Sequence, residues 1–222
     1  MAYGISIGKK FHEDGSVRYF PGNTVVAPIR PGNPAYDVMA QLRQMVVDAG
    51  LEQNIILLPE DSYHMTVLDC LVFEERTPDH WPAGLAQDAS MAEADDYISA
   101  VVATAPNPGR VRMRFDRLRV GKSAVVALLV PDSPQEEKKL WDFRNGATDA
   151  MGMRVPNYSK YRFHISLGYL WKLPEGEAAQ KMDALVEKID ALLAKQPPFE
   201  TGVPYMAYFA DMMAFSPDRL QR

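Results

Sequence analysis

Two short motifs, each a histidine followed two places on by a hydroxyl residue, are the groups in this sequence best suited to chemistry. They are His64-Met65-Thr66 and His164-Ile165-Ser166, and they stand one hundred positions apart. Histidine has an unperturbed pKa of ~6.5, so one imidazole can accept a proton while another donates one near neutral pH. At a phosphoryl centre the attacking and leaving oxygens lie roughly in line, which calls for a base on one side and an acid on the other. The pair of motifs therefore indicates acid and base catalysis at phosphorus.

The two hydroxyls and one arginine would hold the phosphate. Side chains alternate between the two faces of a strand, so each histidine shares a face with its hydroxyl, roughly 7 Å away. Thr66 and Ser166 could donate hydrogen bonds to the non-bridging oxygens, where negative charge must be stabilised. On a regular strand Arg162 shares the face of His164, and its guanidinium would bind phosphate as a fork. The first motif has Ser62 at the corresponding position, so the supply of cations is asymmetric.

Other interpretations of these histidines are weaker when the two motifs are taken together. A lone strand histidine is more often structural than catalytic, but two of the four histidines in the chain occur in matched motifs. His12 and His80 stand beside acidic residues and are interpreted as surface residues. Two histidines without a nearby Cys, Asp or Glu motif fall short of the three or four ligands of a metal site. We therefore expect neither a metal ion nor another cofactor.

The composition is typical of an ordered globular protein. Hydrophobic residues make up 47% of the 222 residues, and the net charge of -5 argues against binding along extended nucleic acid. No apolar run of ~18 residues predicts a membrane span, and Met1-Ala2-Tyr3-Gly4 lacks the features of a signal peptide. Cys70 lies in an apolar run and is interpreted as a buried core residue rather than a nucleophile. We expect a cytoplasmic monomer that does not contact membranes.

The elements that position the motifs follow from hydrophobic periodicity and turn residues. Four helices are predicted at about 34–49, 90–104, 133–151 and 174–194, where apolar residues recur at three and four residue steps. Strands are predicted at about 24–29, 55–58, 62–73, 110–118, 122–130, 158–171 and 205–215. Because the order strand, helix, motif strand, helix, strand recurs around each motif, we predict a duplicated fold. A turn at Asp14-Gly15 could join a short N-terminal hairpin.

The predicted fold class is α+β, with two mainly antiparallel sheets facing a central cleft and helices on the outside. One domain would span residues 1–222 as two pseudo-symmetric lobes, with the motif strands near 62–73 and 158–171. Two like lobes facing each other would bring the two histidines together. The arginines between Arg110 and Arg119 are interpreted as a solvated strand face rather than a nucleic-acid track. The aromatic residues after Tyr205 are interpreted as core rather than as a base-stacking surface.

With the paired His-x-Thr and His-x-Ser motifs, in a chain of about this length, the sequence resembles the 2H phosphoesterase superfamily. The segment from Lys10-Phe11 to Phe20-Pro21-Gly22-Asn23-Thr24 is similar to that of a less characterised bacterial branch. The resemblance covers most of the chain. It implies a metal-independent, bilobal enzyme with His64 and His164 as the catalytic pair and Thr66 and Ser166 as phosphate-binding hydroxyls. Arg162 is not part of the family's minimal pattern, and its predicted role rests on strand geometry alone.

The sequence therefore predicts a phosphodiesterase that acts on a cyclic phosphate or another nucleotide or RNA-end phosphodiester. Which histidine is the acid and which the base stays open. One alternative is a non-catalytic module that binds a nucleotide or an RNA end. Another is an enzyme that joins or trims RNA ends with the same histidines.

Overall fold

The computed structural model describes residues 2–156 and 158–219, so Met1, Asn157 and residues 220–222 lie outside the described residues. Within those ranges the chain forms four α-helices and eight strands. The helices are α1 (Pro34–Asp48), α2 (Met91–Val102), α3 (Pro134–Met151) and α4 (Glu177–Leu193). The strands are β1 (Gly22–Pro28), β2 (Ile55–Leu57), β3 (His64–Val72), β4 (Arg112–Val120), β5 (Ala124–Pro131), β6 (His164–Leu170), β7 (Phe199–Glu200) and β8 (Tyr205–Phe209).

The described strands form one antiparallel sheet in the order β7-β4-β5-β6-β3-β1-β8, with β2 paired to β6 as well. The motif strands β3 and β6 are neighbours at its centre, yet they share a single ladder pair, Met65 opposite Ile165. Farther along β6 the neighbour is β2, because Ile55 pairs with Leu170. The sheet therefore has two halves, which meet where the histidine motifs lie and separate beyond them.

Local sequence signals explain where the helices begin and end. The Asn33 side chain accepts a hydrogen bond from the Ala35 amide at the start of α1. Ser90 and Glu93 form a reciprocal capping box at the start of α2. Gly152 follows α3 with φ of 67°, a left-handed conformation that glycine adopts without strain. These ends agree with the helix predictions to within about three residues.

The helices and the site occupy opposite faces of the sheet. Met65, Val67, Ile165 and Leu167 are fully buried in the main hydrophobic core, which also contains the apolar faces of all four helices. The other side chains of the motif strands point away from the helices. That second face is covered by the N-terminal segment (residues 2–20), by the last residue of β8 and by the chain that follows it. Together they form a smaller core of Phe11, Phe20, Phe209 and Met212. One pocket lies between this cover and the motif strands.

The α+β class, with helices packed on a mainly antiparallel sheet, is confirmed. The two sheets that we expected are joined into one through the Met65 and Ile165 pair. Both motif strands are shorter than predicted, because each begins at its histidine. The last strand ends at Phe209, and the predicted N-terminal hairpin is reduced to isolated bridges such as Phe11 with Val17.

The structure also bears on the predictions for Cys70 and for membrane-spanning segments. Cys70 is buried, with 6% of its surface exposed, and burial raises the pKa of its thiol. It therefore stays a protonated core residue at neutral pH. Among the described residues, no helix combines the length and the apolar character needed to cross a membrane.

Candidate active site

Each histidine motif begins directly after a short, tight turn of chain. A 3-10 turn at Glu60–Ser62 precedes β3, and another at Tyr158–Lys160 precedes β6. His64 and His164 are the first residues of their strands. Both imidazoles therefore lie at the ends of rigid strands rather than in loops, which fixes the direction in which they point.

The two motifs are held in the sheet by the same pairing pattern. His64 lies opposite Pro28 of β1, and His164 lies opposite Leu128 of β5. The hydroxyl residues repeat this relation, because Thr66 pairs with Val26 and Ser166 pairs with Val126. Each pattern is followed by a register shift, between Val25 and Val26 in one half and between Val125 and Val126 in the other. This common register supports the predicted duplication, which stays a prediction for the domain as a whole.

Hydrogen bonds to the backbone orient both imidazole rings in the same way. Nδ1 of His64 is 2.6 Å from the carbonyl oxygen of Ser62, and Nδ1 of His164 is 2.8 Å from that of Arg162. A carbonyl oxygen can only accept, so Nδ1 carries the hydrogen in each ring. In the neutral form Nε2 then has the free lone pair. The two Nε2 atoms are therefore the groups that can accept or donate a proton.

Burial makes both histidines harder to protonate. Desolvation lowers the pKa of His64 from 6.5 to about 4, with smaller contributions from His164 and Arg30, while the Ser62 carbonyl opposes the shift. Desolvation also lowers the pKa of His164, but there the Arg162 carbonyl and the charge of Asp69 act in the opposite direction. His64 is thus neutral at pH 7, and His164 has a carboxylate nearby that favours its protonated form.

Both motifs open into one pocket of about 220 Å³ on the face opposite the helices. His64, Thr66, His164 and Ser166 all line it, so the structure brings together four of the five predicted site residues. The rest of the wall is largely apolar and aromatic, and the ring of Phe215 lies 4.3 Å from that of His64. The aromatic residues after Tyr205 thus contribute to the pocket as well as to the core, since Phe209 and Phe215 both line it. Within the described chain, no group of three or more His, Cys, Asp or Glu side chains is arranged to hold a metal ion.

Arg162 lies apart from these four residues. It does not line the pocket, its side chain is exposed, and its Nη2 donates to the carboxylate of Asp116 at 3.0 Å. The reason is local, because β6 begins only at His164 and the regular alternation of a strand does not extend back to residue 162. Its backbone carbonyl, rather than its guanidinium, contacts the site. The phosphate-binding role of Arg162 stays a prediction.

The sequence interpretation missed several pocket residues, and three of them, Lys10, Asp69 and Tyr169, carry polar groups that bear on a ligand. Asp69 and Tyr169 are themselves one hundred positions apart, so they occupy equivalent places in the two motif strands. Strict alternation from His64 predicts that the Asp69 side chain faces away from the pocket. A register shift beside Asp69 reverses the face on which this side chain lies, so that it faces the pocket. The signal that could have identified Asp69 and Tyr169 is their spacing of one hundred residues, which equals the spacing of His64 and His164. Lys10 lies on the N-terminal segment, whose position over the sheet no local pattern predicts.

A buried arginine and a tyrosine connect the two halves of the sheet beneath the pocket. Arg144 of α3 is fully buried, and its Nη1 donates to the carbonyl oxygen of Val67 at 2.5 Å. Its guanidinium lies 3.9 Å from the ring centre of Tyr161, whose hydroxyl donates to the carbonyl oxygen of Thr66 at 3.2 Å. Tyr161 also lines the pocket, although strict alternation predicted that it would face away. Among the described residues, Nε and Nη2 of Arg144 have no hydrogen-bond partner.

Solved structures of other proteins are similar to this chain to different degrees. The chain is similar to a conserved protein of unknown function, ATU0111 from Agrobacterium tumefaciens str. C58, with 25% identity and a TM-score of 0.86 over 97% of this chain and 91% of that chain. It is more distantly similar to TT0787 of Thermus thermophilus (14% identity, TM-score 0.45, 84% and 85% coverage). A third similar structure is E. coli LigT complexed with phosphate (10% identity, TM-score 0.44, 86% and 88% coverage). No curated protein matches the chain.

The family comparison agrees with the resemblance seen in the sequence. The model labelled 2H-phosphodiest, described as Domain of unknown function (DUF1868), matches residues 10–124. This range contains Lys10 and the whole first motif, and it ends before the second motif. Because the match covers more than half of the 222 residues, the chain belongs to the 2H-phosphodiest family of 2H phosphoesterases.

Proposed function

We propose that this protein is a metal-independent phosphodiesterase that acts on a cyclic phosphate or another nucleotide or RNA-end phosphodiester. The observation that carries the proposal is the presence of two imidazoles and two hydroxyls in one pocket, with both Nδ1 atoms bonded to backbone carbonyls. This arrangement leaves one nitrogen on each ring for proton transfer. Family membership supports phosphodiesterase chemistry in general, and the substrate class belongs to the proposal.

The reaction follows from the charges that an in-line displacement creates. A water molecule attacks phosphorus, and one Nε2 removes a proton from that water while the phosphorus–oxygen bond to the leaving group breaks. The second Nε2 gives its proton to the leaving oxygen. The hydroxyls of Thr66 and Ser166 donate to the non-bridging oxygens as negative charge accumulates there. For a cyclic phosphate the product is a phosphomonoester with a free neighbouring hydroxyl, and proton exchange with solvent restores the two imidazoles.

The directions of the pKa shifts support one assignment of the two roles. His64 is the base, because its lowered pKa of about 4 keeps Nε2 unprotonated at neutral pH. His164 is then the acid; burial lowers its pKa as well, and the Arg162 carbonyl and the charge of Asp69 oppose that shift. A substrate phosphate between the rings would add further negative charge and favour the protonated imidazole still more. The assignment uses protein groups for every proton, so turnover should persist in EDTA.

A panel of 2′,3′-cyclic nucleotides, cyclic dinucleotides and short RNAs with cyclic phosphate ends tests the proposal. The purified protein should open at least one of them, and His64→Ala and His164→Ala should each lower kcat by about 10²- to 10⁴-fold, the usual contribution of a general acid or base. His12→Ala is the matched control, since His12 is exposed and does not line the pocket. Turnover by a His64→Ala, His164→Ala double variant at the wild-type rate would refute the mechanism. Return of every substrate intact, despite measurable binding, would replace it with a binding module.

A further inference from the structure

Lys10 brings a positive charge into the pocket from outside the sheet. Its Nζ lies 5.0 Å from the ring centre of Tyr169 and 5.5 Å from that of Phe20, and 3.5 Å from the Tyr169 hydroxyl. Two aromatic faces thus hold the ammonium group in place. The side chain is half-buried and lines the same pocket as the histidines.

The backbone around Lys10 is anchored, so this position is a fixed feature of the fold. The Gly4 amide donates to the carbonyl of Trp171, and a side chain at position 4 would clash, since a Cβ there would lie 2.1 Å from the Leu170 carbonyl oxygen. Phe11, the next residue after Lys10, is fully buried and packs on Tyr169 with ring centres 5.1 Å apart. The N-terminal segment therefore delivers Lys10 to β6 by specific packing.

Lys10 brings its charge into the pocket without an ion-pair partner among the described residues. Among the described residues, no carboxylate lies within ion-pair distance of its Nζ. Apart from the histidines, the residues charged at neutral pH that line the pocket are Lys10 and Asp69. A half-buried ammonium held by aromatic rings, without a counter-ion, is poised to bind an anion from the solvent.

The place of Lys10 along β6 indicates which part of a ligand it would meet. Tyr169 is three residues beyond Ser166, which corresponds to roughly 10 Å along a strand. The reacting phosphate would lie at His164 and Ser166, whereas the Lys10 ammonium lies over the rings of Tyr169 and Phe20. The ammonium is thus offset along β6 from the reacting position, although its charge still reaches His164 and helps to lower the pKa of that imidazole.

We propose that Lys10 binds a second phosphate group of the substrate, so that the preferred ligand is a phosphodiester carrying an additional phosphate. This inference rests on the proposed function, because it places the reacting phosphate between the two histidines. It also gives the pocket a direction. The Tyr169 side accepts the additional anion, while the equivalent place in the first motif strand holds the carboxylate of Asp69, which would repel it.

Two probes that differ only in the additional phosphate test the inference, namely adenosine 2′,3′-cyclic phosphate and the same molecule with a 5′-phosphate. The wild type should prefer the second probe in kcat/KM, and Lys10→Met should reduce that preference by roughly 10- to 100-fold, the range expected for a hydrogen bond to a charged group. Methionine keeps an unbranched apolar stem of similar length, and Lys10→Arg should retain most of the preference. Lys9→Met is the matched control, because Lys9 is adjacent, exposed and outside the pocket.

The same comparison is made by binding, so that the two proposals can fail separately. Dissociation constants of both probes are measured calorimetrically for the His64→Ala, His164→Ala double variant, with Lys10 present or replaced by Met. One outcome would refute the proposed function and uphold the inference. In it, the wild type cleaves neither probe, but binding shows a preference that is lost when Lys10 is replaced by Met. Equal losses on both probes would show that Lys10 contacts the reacting phosphate, and this would overturn the inference. It would also be overturned if the wild type showed no preference, if it bound neither probe, or if Lys10→Met left the preference unchanged.

Discussion

Removal of the Tyr161 hydroxyl should separate a positioning role from a catalytic one at this site. The hydroxyl donates to the carbonyl oxygen of Thr66, and Arg144 donates to the carbonyl of the next residue, Val67. These two bonds hold β3 where it has only one ladder pair with β6. Tyr161→Phe deletes the first bond and keeps the aromatic ring, so the stacking of Arg144 on that ring is preserved.

The expected size of the effect follows from the strength of one neutral hydrogen bond. Such a bond contributes about 1 kcal/mol net, so Tyr161→Phe should lower the free energy of unfolding by roughly that amount and the Tm by about 2–4 °C. A contact can bias the position of Thr66 by no more than its own free energy, which corresponds to roughly a fivefold change in population. We therefore expect kcat to fall about fivefold, while KM changes little.

Urea denaturation and steady-state kinetics on the preferred cyclic phosphate measure both quantities. Tyr63→Phe is the matched control, because Tyr63 precedes His64 in the first motif and its buried hydroxyl has no hydrogen-bond partner among the described residues. That control should leave stability unchanged or slightly improved. A loss of several hundredfold in kcat for Tyr161→Phe would refute the positioning argument and give the hydroxyl a direct part in the reaction. Unchanged stability and unchanged kcat would show that the bond to Thr66 has no energetic weight.

Three further predictions concern the site and the sheet. The value of kcat/KM should fall below pH about 4, where His64 is protonated, and again above the pKa of His164, where that imidazole loses its proton. Because burial lowers the pKa of His164, the optimum should lie on the acid side of neutrality. An optimum above pH 7.5 would contradict the assignment. If Arg162 binds phosphate, Arg162→Ala should raise KM. Asp116→Ala should not raise KM, because it frees the Arg162 guanidinium from its ion pair. Wild-type kinetics for Arg162→Ala would show that Arg162 does not bind the substrate. Gly168→Ala should cost about 1–3 kcal/mol in urea denaturation, because its Cβ would lie 2.5 Å from a carbonyl oxygen of β2, and an unchanged midpoint would show that β2 can shift freely.

The helices were predictable because their signals are local. Asn33, Ser90 and Ser133 each cap a helix with their own side chains, and Gly152 ends one with a backbone conformation that favours glycine. The start of β6 was not predictable in the same way. Residues 158–160 form a 3-10 turn instead of strand, and the Tyr158 ring packs against Trp141 of α3. Composition predicted strand at these residues, whereas in the structure they form a turn that packs against α3.

The same difference separates the site residues that were predicted from those that were missed. His64, Thr66, His164 and Ser166 lie in short stretches of regular strand, where alternation holds, and all four line one pocket. Residues beyond those stretches do not follow the count. Residue 162 precedes the strand, and residue 69 follows a register shift that reverses the face. Lys10 depends on long-range packing of the N-terminal segment, which has no periodicity to interpret.

The places where the two motif strands agree and differ suggest why a pair of matched motifs suits the proposed chemistry. In-line displacement at phosphorus needs a proton acceptor on one side and a proton donor on the other. An imidazole can serve as either, so His64 and His164 can occupy equivalent positions. The arms of a substrate are not equivalent, and the pocket must distinguish them. The halves diverge at residues 69 and 169, where a carboxylate stands on one side and a tyrosine beside Lys10 on the other. Exchange of Asp69 for Tyr removes a charge that favours protonated His164, so kcat should fall on every substrate. It should also change the ratio of kcat/KM between substrates with and without an additional phosphate, and an unchanged ratio would contradict this division of roles.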